Sequence, residues 1–476
     1  MTLPGQTITR TDGGLGLAGD AQNVFLYVGP TAGIATTITR YSSSSKLKAV
    51  HGNCITAQAA CWKLDNEGGS VDVLCTAASV AAVSSAVEQA GTGPAVTLSG
   101  TALLPTTATI QITRGGALGV GGFGYTLDGE TWVDNITLPA GGTYLLPSTG
   151  ITATFAAGTH VVGTTHAFTT TPAEYNLTNL QAAWATALTA DTEWPVIVFC
   201  GYPASASAAA TIAAGIITLM SQLEATFRYG GAIISCGNDT EANVLAQFAT
   251  VQDNRIIRED GTLQCYVGTK VPGWQWPRLP YVGEKARLCA KVSPATNPAW
   301  AGLTDNVKVS LIKNPSFDEF KEGETLHDAK INTMRTYPKT RGIFPTNSLL
   351  ASGPGSDYRY WQWLRVLNIY CSTVEQAQQS FIHRSVRTVT TGTAEEIGCI
   401  DPRDAANLEK DVRAALALAL NKKTSEGLPS YCSGFSYSIN RTNKILSTRQ
   451  LQSSGKIGPL ANIEQVETEI GFSQEI

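Results

Sequence analysis

Two blocks of strand–helix rhythm flank a stretch with a different period, and this arrangement constrains the fold more than any other feature of the chain. In the first block, Asn23–Val28 and Val71–Cys75 read as buried strands about a helix over Ile55–Leu64, and an Ala/Val-rich helix is expected to follow as far as about Gln89. The second block starts after Pro172. It runs through a helix around Leu180, Trp184 and Leu188, a strand at Pro195–Cys200, a long helix over Ala206–Arg228, a strand at Ala232–Cys236 and a helix at Asp239–Thr250. Arg255–Ile257 and Cys265–Val267 read as further strands. Strands alternating with helices imply a largely parallel sheet covered on its faces.

Between the blocks, from about Gly91 to Thr171, Thr, Gly and Pro rise and the period becomes two. Ala108, Ile110 and Ile112 share one face, Phe123, Tyr125 and Leu127 alternate before an Asp128–Gly129 turn, and Ile151, Ala153 and Phe155 alternate with threonines. Short strands with close turn signals predict a small β-sandwich or barrel, inserted into an α/β domain.

The C-terminal part has its own pattern. Asp357–Arg387 carries the longest helical periodicity, and Asp401–Pro402 opens a second helix expected to run to Lys422–Lys423, whose charges would suit a helix C-terminus. Strands are expected at Phe435–Ile439 and around Ile445–Leu451, then a looser linker over Ser453–Pro459. In Gln465–Phe472, Val466, Thr468, Ile470 and Phe472 occupy one face and Gln465, Glu467 and Glu469 the other. That is a half-buried strand, either an edge strand docked on its own domain or one donated to a neighbour's sheet. At the other end, residues up to about Asp20 are polar and Gly-rich, with Gln6–Arg10 suited to an extended arm and Gly13–Gly16 to a joint.

Composition narrows the function. Charged residues are 15% of the 476, against the usual quarter, while 43% are hydrophobic. A low-charge surface suits a subunit that buries much of its outside in an assembly, and equally a neutral Ala/Thr-rich globular protein. The net charge of −4 gives no basic footprint for nucleic acid. The first residues, Met1–Gln6, lack the charged and apolar regions of a signal peptide. The apolar stretch Ala208–Met220 is too short to span a bilayer and reads as a buried helix. The ten cysteines are scattered without a C-x-x-C pair, as small buried hydrophobes of a reducing compartment would be.

Searches for catalytic chemistry fail on context. The G-x-G-x-x-G matches at Gly14/Gly16/Gly19 and Gly119/Gly121/Gly124 lack the following helix that a dinucleotide needs. Ser43–Lys46 matches S-x-x-K only through a serine run, and no phosphate loop or nucleophile elbow is present. His51, Cys54 and Cys61 are the nearest approach to a ligand cluster, with a spacing foreign to common zinc sites. His160 and His166 read as exposed sheet residues. The Trp274/Trp276 segment is an aromatic loop able to stack on sugars or bases, or to pack in a domain interface.

With these pieces in order, the chain resembles the contractile tail sheath proteins of myovirus-like phages that carry a β-rich insertion. The resemblance rests on Asn23–Gly29 as first core strand, Thr109–Gly116 with Phe123–Trp132 as the insertion's paired strands, and Ser356–Leu367 as the helix opening the C-terminal domain. Thr442–Ser447 and Val466–Phe472 match the closing strands. It implies a multidomain α/β (α+β) protein divided into an N-terminal arm (1–20), a discontinuous α/β domain (21–90 and 172–348), the β-module (91–171), a C-terminal sheath domain (349–462) and a C-terminal strand arm (463–476). It further implies a structural, non-enzymatic subunit without cofactors or metal, polymerising as stacked hexameric rings around a tail tube that contraction drives through the host envelope. Partners would be copies of itself, the tube protein, and baseplate and tail terminator proteins, with no nucleic acid and no membrane insertion. Its place would be the virion's tail, assembled in the host bacterial cytoplasm. Inter-subunit contacts would fall on Ile8, Ile463, Val466, Thr468, Ile470 and Phe472. The rival readings are a baseplate or receptor-binding protein holding a surface glycan on the β-module and Trp274/Trp276, and an enzyme whose site is built from distant residues.

Overall fold

A run of six buried residues, Phe25–Pro30, forms strand β1 in the interior of the largest sheet. The computed structural model describes residues 24–31, 37–78, 83–201, 203–237, 239–265, 278–302, 309–312, 322–337 and 339–464. After β1 come β2 (Ile38–Tyr41), α1 (Ser44–His51), α2 (Ile55–Glu67) and β3 (Val71–Thr76). Helix α2 is buried on every side from Ile55 to Leu64, Lys63 included. The Lys63 ammonium meets the carbonyls of Gly68 (2.8 Å) and Ser70 (3.1 Å), and burial lowers its pKa to about 8.

The β-module follows as β4 (Val83–Ser84), β5 (Glu88–Ala90), β6 (Val96–Gly100), β7 (Thr106–Arg114), β8 (Gly122–Thr126), β9 (Trp132–Thr137), β10 (Thr143–Leu145), β11 (Ile151–Phe155) and β12 (Thr165–Thr171). One sheet has the order β4-β12-β7-β8-β9 with β5 also on β12, and the other is β10-β11-β6. The expected alternation is present: Ala108, Ile110, Ile112, Ile151, Ala153 and Phe155 all point into the core. Phe123 packs against Tyr144 and Phe155 with ring centroids 5.1 and 4.9 Å apart. In the second G-x-G-x-x-G match Gly124 serves close strand approach: a Cβ there would lie 2.4 Å from Asp134 Oδ1 and 2.9 Å from the Val133 carbonyl.

Two expectations fail here. No helix leads to Gln89 among the described residues; Ser84 and Glu88 instead pair with Thr170 and Ala167 of β12, so the ladder of a neighbouring strand overrides Ala/Val helix propensity. His160 and His166 are buried, not exposed. The alternation of β12 turns His166, Phe168 and Thr170 inward together.

The α/β rhythm resumes with α3 (Leu177–Thr189), β13 (Val196–Phe199), α4 (Ala206–Glu224), β14 (Gly231–Ser235), α5 (Glu241–Phe248), β15 (Ile256–Glu259), β16 (Thr262–Cys265), β17 (Arg278–Pro280) and α6 (Val282–Lys291). Then come β18 (Val309–Ile312), α7 (Glu322–Asp328), β19 (Ile331–Asn332), β20 (Met334–Tyr337) and β21 (Thr340–Pro345). The main sheet has the order β19-β15-β14-β13-β1-β3-β2, parallel except for the β3–β2 pair. Strands from before the β-module (β1, β3 and β2) and from after it (β13, β14, β15 and β19) therefore make up the two halves of one sheet, joined at the β1–β13 pair. Strands β16, β17 and β18 form a separate three-stranded sheet, and β20–β21 a hairpin. Helix α4, at 19 residues, is longer than its apolar stretch suggested and is long and apolar enough to cross a membrane. In this fold its Ala206, Ala209, Ala213, Ile216, Leu219 and Leu223 are buried in the core shared with α3 and the main sheet.

The C-terminal part contains α8 (Trp361–Gln379), α9 (Pro402–Leu420), β22 (Gly434–Ile439), α10 (Ile445–Thr448) and β23 (Ser453–Gly458). Asp401 caps α9, accepting from the Arg403 N–H, with Pro402 in the first turn. The helix ends at Leu420, short of the two lysines, where the Tyr431 N–H binds the Leu420 carbonyl. The strand expected around Ile445–Leu451 is a single helical turn, closed by Arg449 in the left-handed region (φ 56°). The supposed linker Ser453–Gly458 is a strand, paired in six-residue register with β22.

His166 generates a prediction. Neither ring nitrogen has a hydrogen-bond partner, and burial, reinforced by His160, holds the imidazole below its usual range. The unfolded chain takes up a proton as pH falls through about 6.5 while the folded chain does not, so this contribution to stability is present above that value and lost below it. Thermal melting of the full chain at pH 7.5 and 5.5 is expected to show a smaller pH difference in His166→Leu than in the unsubstituted protein.

Candidate assembly site

Helix α8 is the frame for the chain's last described segment. Gln378, near its C-terminal end, donates to Ser453 Oγ (3.0 Å); Tyr370, two turns earlier, lies against Gly455, where a Cβ would sit 1.8 Å from the Tyr370 hydroxyl. Trp363 Nε1 donates to the Leu460 carbonyl (2.9 Å), and the Tyr360 hydroxyl, at the N-cap, donates to Glu464 Oε1 (2.6 Å). The chain from 453 to 464 thus runs antiparallel to α8 over about 27 Å at 1.5 Å per residue.

Glu464 closes that run. Its Oε1 also accepts from Asn347 Nδ2 (2.9 Å), and its Oε2 accepts from Arg359 Nη2 (3.1 Å). Burial alone would raise this carboxyl's pKa; the Tyr360 and Asn347 donors and the nearby Arg359 and His327 outweigh it and hold it below the usual range. Burial and the carboxylate together push the Tyr360 hydroxyl up to about 12. Asn347 ties the anchor to the α/β domain, since its carbonyl accepts from Lys285 Nζ (2.7 Å). Lys285 in turn stands 3.3 Å from Glu259, both fully buried.

The strand that opens this run, β23, pairs with β22 in a two-stranded sheet. The Asn440 N–H binds the Gln452 carbonyl (2.8 Å), so residues of even number in β22 face β23 and Phe435, Tyr437 and Ile439 face away. By the same parity, Ser453, Gly455 and Ile457 direct their backbone groups away from β22, and among the described residues no backbone group pairs with them.

Of the residues expected in inter-subunit contacts, Ile463 is described. It is 86% exposed, immediately before the anchored Glu464. Ile8, Val466, Thr468, Ile470 and Phe472 lie outside the described residues, as do Gly14/Gly16/Gly19, Trp274 and Trp276. His51, Cys54 and Cys61 do not converge. His51 contacts the Tyr41 hydroxyl (2.8 Å) and Cys75 Sγ (3.5 Å), while Cys61 Sγ points to the Ser44 carbonyl (3.7 Å). Among the described residues no three His, Cys, Asp or Glu side chains could share a metal ion. Glu464, Tyr360, Asn347 and Trp363 carry no sequence signal that marks them, because the contacts that join them span about a hundred residues of chain.

No family model matches the sequence, and no curated protein matches it. Solved structures do. A chain of the anti-feeding prophage baseplate, 6-fold symmetrised, aligns with a TM-score of 0.54 at 10% identity, covering 100% of both chains. A chain of the same baseplate in its contracted state gives 0.54 at 13% identity and the same coverage. A chain of the contracted PVC sheath complex, an extracellular contractile injection system, gives 0.53 at 12% identity, covering 100% of this chain and 98% of the other. At such identities the likeness is one of fold, and it runs end to end: this chain has the fold of the contractile tail sheath proteins.

Proposed function

We propose that this protein is the structural subunit of a contractile sheath, which polymerises as stacked six-membered rings around an inner tube and shortens to drive the tube through an envelope. The partners in this reading are further copies of the chain, a tube protein, and baseplate and terminator proteins, in a phage tail or a related injection particle. The domain division at 1–20, 21–90 with 172–348, 91–171, 349–462 and 463–476 belongs to the same proposal.

The observation that carries it is the pairing of an open strand edge with an anchored arm root. A two-stranded sheet is marginal by itself, and an unpaired edge invites another chain. Glu464 is tied to the N-terminal end of α8 and Ser453, the first residue of β23, to its C-terminal end, so the root of the alternating segment lies at the far end of the helix from the start of its own open edge. A strand given to a second copy supplies backbone hydrogen bonds, while Val466, Ile470 and Phe472 supply apolar burial, roughly 1.5–3 kcal/mol for each side chain before ordering entropy. Ile8 in the N-terminal arm is proposed to act in the same way. Contraction then draws on a difference between two packings of the same subunits, and no nucleotide is required.

Two outcomes are expected. Removing residues 463–476 leaves soluble, folded subunits that do not polymerise; normal long tubes from that truncation, seen by negative-stain microscopy, would sink the proposal. Glu464→Ala removes the anchor's three hydrogen bonds and leaves the arm's own sequence intact. It is expected to raise the protein concentration needed for tube formation about tenfold, equivalent to about 1.4 kcal/mol, with the far-UV circular dichroism unchanged; sedimentation across a concentration series measures it.

A further inference from the structure

The two edges of the β22–β23 sheet are unlike. Along the outer edge of β22, the Ile439 N–H donates to Glu409 Oε1 (2.8 Å), the Tyr437 carbonyl accepts from Arg413 Nε (3.0 Å) and Nη2 (2.6 Å), and the Ile439 carbonyl accepts from Arg441 Nη1 (2.9 Å). Arg441 also grips Glu409 through both carboxylate oxygens (2.6 and 3.0 Å). Glu409 and Arg413 come from α9, and Glu409 is 4% exposed. Side chains thus hold the Tyr437 carbonyl and both backbone groups of Ile439, which a further strand would need.

We propose that Glu409, Arg413 and Arg441 form a clasp that closes the β22 edge to strand addition, so that residues 465–472 of a second copy add only along β23. This rests on the reading of the arms given above. A strand arriving at β22 would exchange charge-assisted bonds, roughly twice as strong as neutral ones, for neutral backbone bonds. It would also strand the buried Glu409 carboxylate. At β23 nothing comparable must be broken. Ser453, Ser454 and Gly455 leave the backbone accessible, and Lys456 is the strand's one charge, complementary to Glu467 and Glu469 of the arriving arm. The clasp makes the sheet grow in one direction, which gives each subunit one acceptor for this arm and keeps a string of sheets from branching.

Disulfide trapping in the assembled full-length protein tests the proposal. Adjacent strands lie about 4.8 Å apart and next-nearest strands about 10 Å apart, while a disulfide needs Cα atoms within about 7 Å. Cysteines introduced in the arm (Thr468→Cys or Ile470→Cys) are paired with Ser454→Cys on β23 or Ser438→Cys on β22, and links are mapped by peptide mass spectrometry. Interchain links to position 454 are expected to exceed those to 438 at least tenfold. In a Glu409→Ala background, links to 438 are expected to appear. Arg413→Ala, which uncovers the Tyr437 carbonyl while leaving the Glu409–Arg441 pair, is the second variant should Glu409→Ala fail to fold. Links to 438 that match those to 454 with the clasp intact overturn the clasp and spare the arm reading. Folded clasp variants that still give no link to 438 do the same. No interchain link at either position overturns both.

Discussion

Every exposed strand edge presents a row of backbone donors and acceptors that must be paired, covered or defended, and the architecture of this protein follows from how each edge is treated. The main parallel sheet ends in short strands, β19 with two residues and β2 with four, the latter turned antiparallel to β3. In the β-module, β4 and β5 share the edge of β12 in two short pieces. The C-terminal sheet departs from this. It has two strands, one edge held by charged side chains and one open. Under the proposed function that open edge is one half of a joint.

Buried charges connect that joint to the rest of the molecule. Such charges persist only when paired, and here the pairs lie where elements meet. Asp72 of β3 accepts from Arg40 (2.7 and 2.9 Å) and from Trp194 Nε1 (2.8 Å), linking both halves of the discontinuous sheet. Glu284 of α6 accepts from Arg287 and from Trp62 of α2, and Arg287 reaches Glu67 (2.6 Å). Glu259 at the end of β15 faces Lys285; burial, opposed by that ammonium, raises its carboxyl pKa to about 7. Through Lys285 and Asn347 the same network reaches Glu464. Glu464 is thereby tied to the main sheet and not merely to the helix it lies on.

Much of the fold was legible in the sequence because apolar periodicity reports burial directly. The runs at Asn23–Val28, Val71–Cys75 and Pro195–Cys200 read as strands and supply β1, β3 and β13, and the alternation at Ala108–Ile112 and Ile151–Phe155 reads as two-faced sheet and supplies β7 and β11. The errors fall where burial and periodicity part company. Ser453–Gly458 has one apolar side chain, Ile457, and so no apolar alternation, and it is a strand because β22 supplies its partners and Gly455 lets it approach Tyr370. Ser84 and Glu88, in the stretch expected to be helical, are claimed by β12, and Ile445–Leu451 by the Gly398 carbonyl, which accepts from the Leu446 N–H (3.1 Å). The candidate arm residues were visible as a pattern, but the anchor and the clasp were not. Glu464, Glu409 and Arg441 are ordinary polar positions until the fold brings Tyr360 and Ile439 beside them.

A joint made from backbone hydrogen bonds and one fastened by side chains answer different mechanical needs. Strand pairing is tolerant of sequence and can pivot about its axis while its ladder stays intact, so it suits a link that must survive when domains reorient. A carboxylate held by a hydroxyl, an amide and a guanidinium has a narrow geometry and suits the point from which the link is thrown. In this chain the two lie at opposite ends of α8, about 27 Å apart, and the helix between them is rigid. In the proposed assembly the helix therefore sets the distance between the edge that would receive a strand and the point from which one would be given. In the proposed assembly that distance is a spacing rule common to all copies, held fixed while the angles between subunits change.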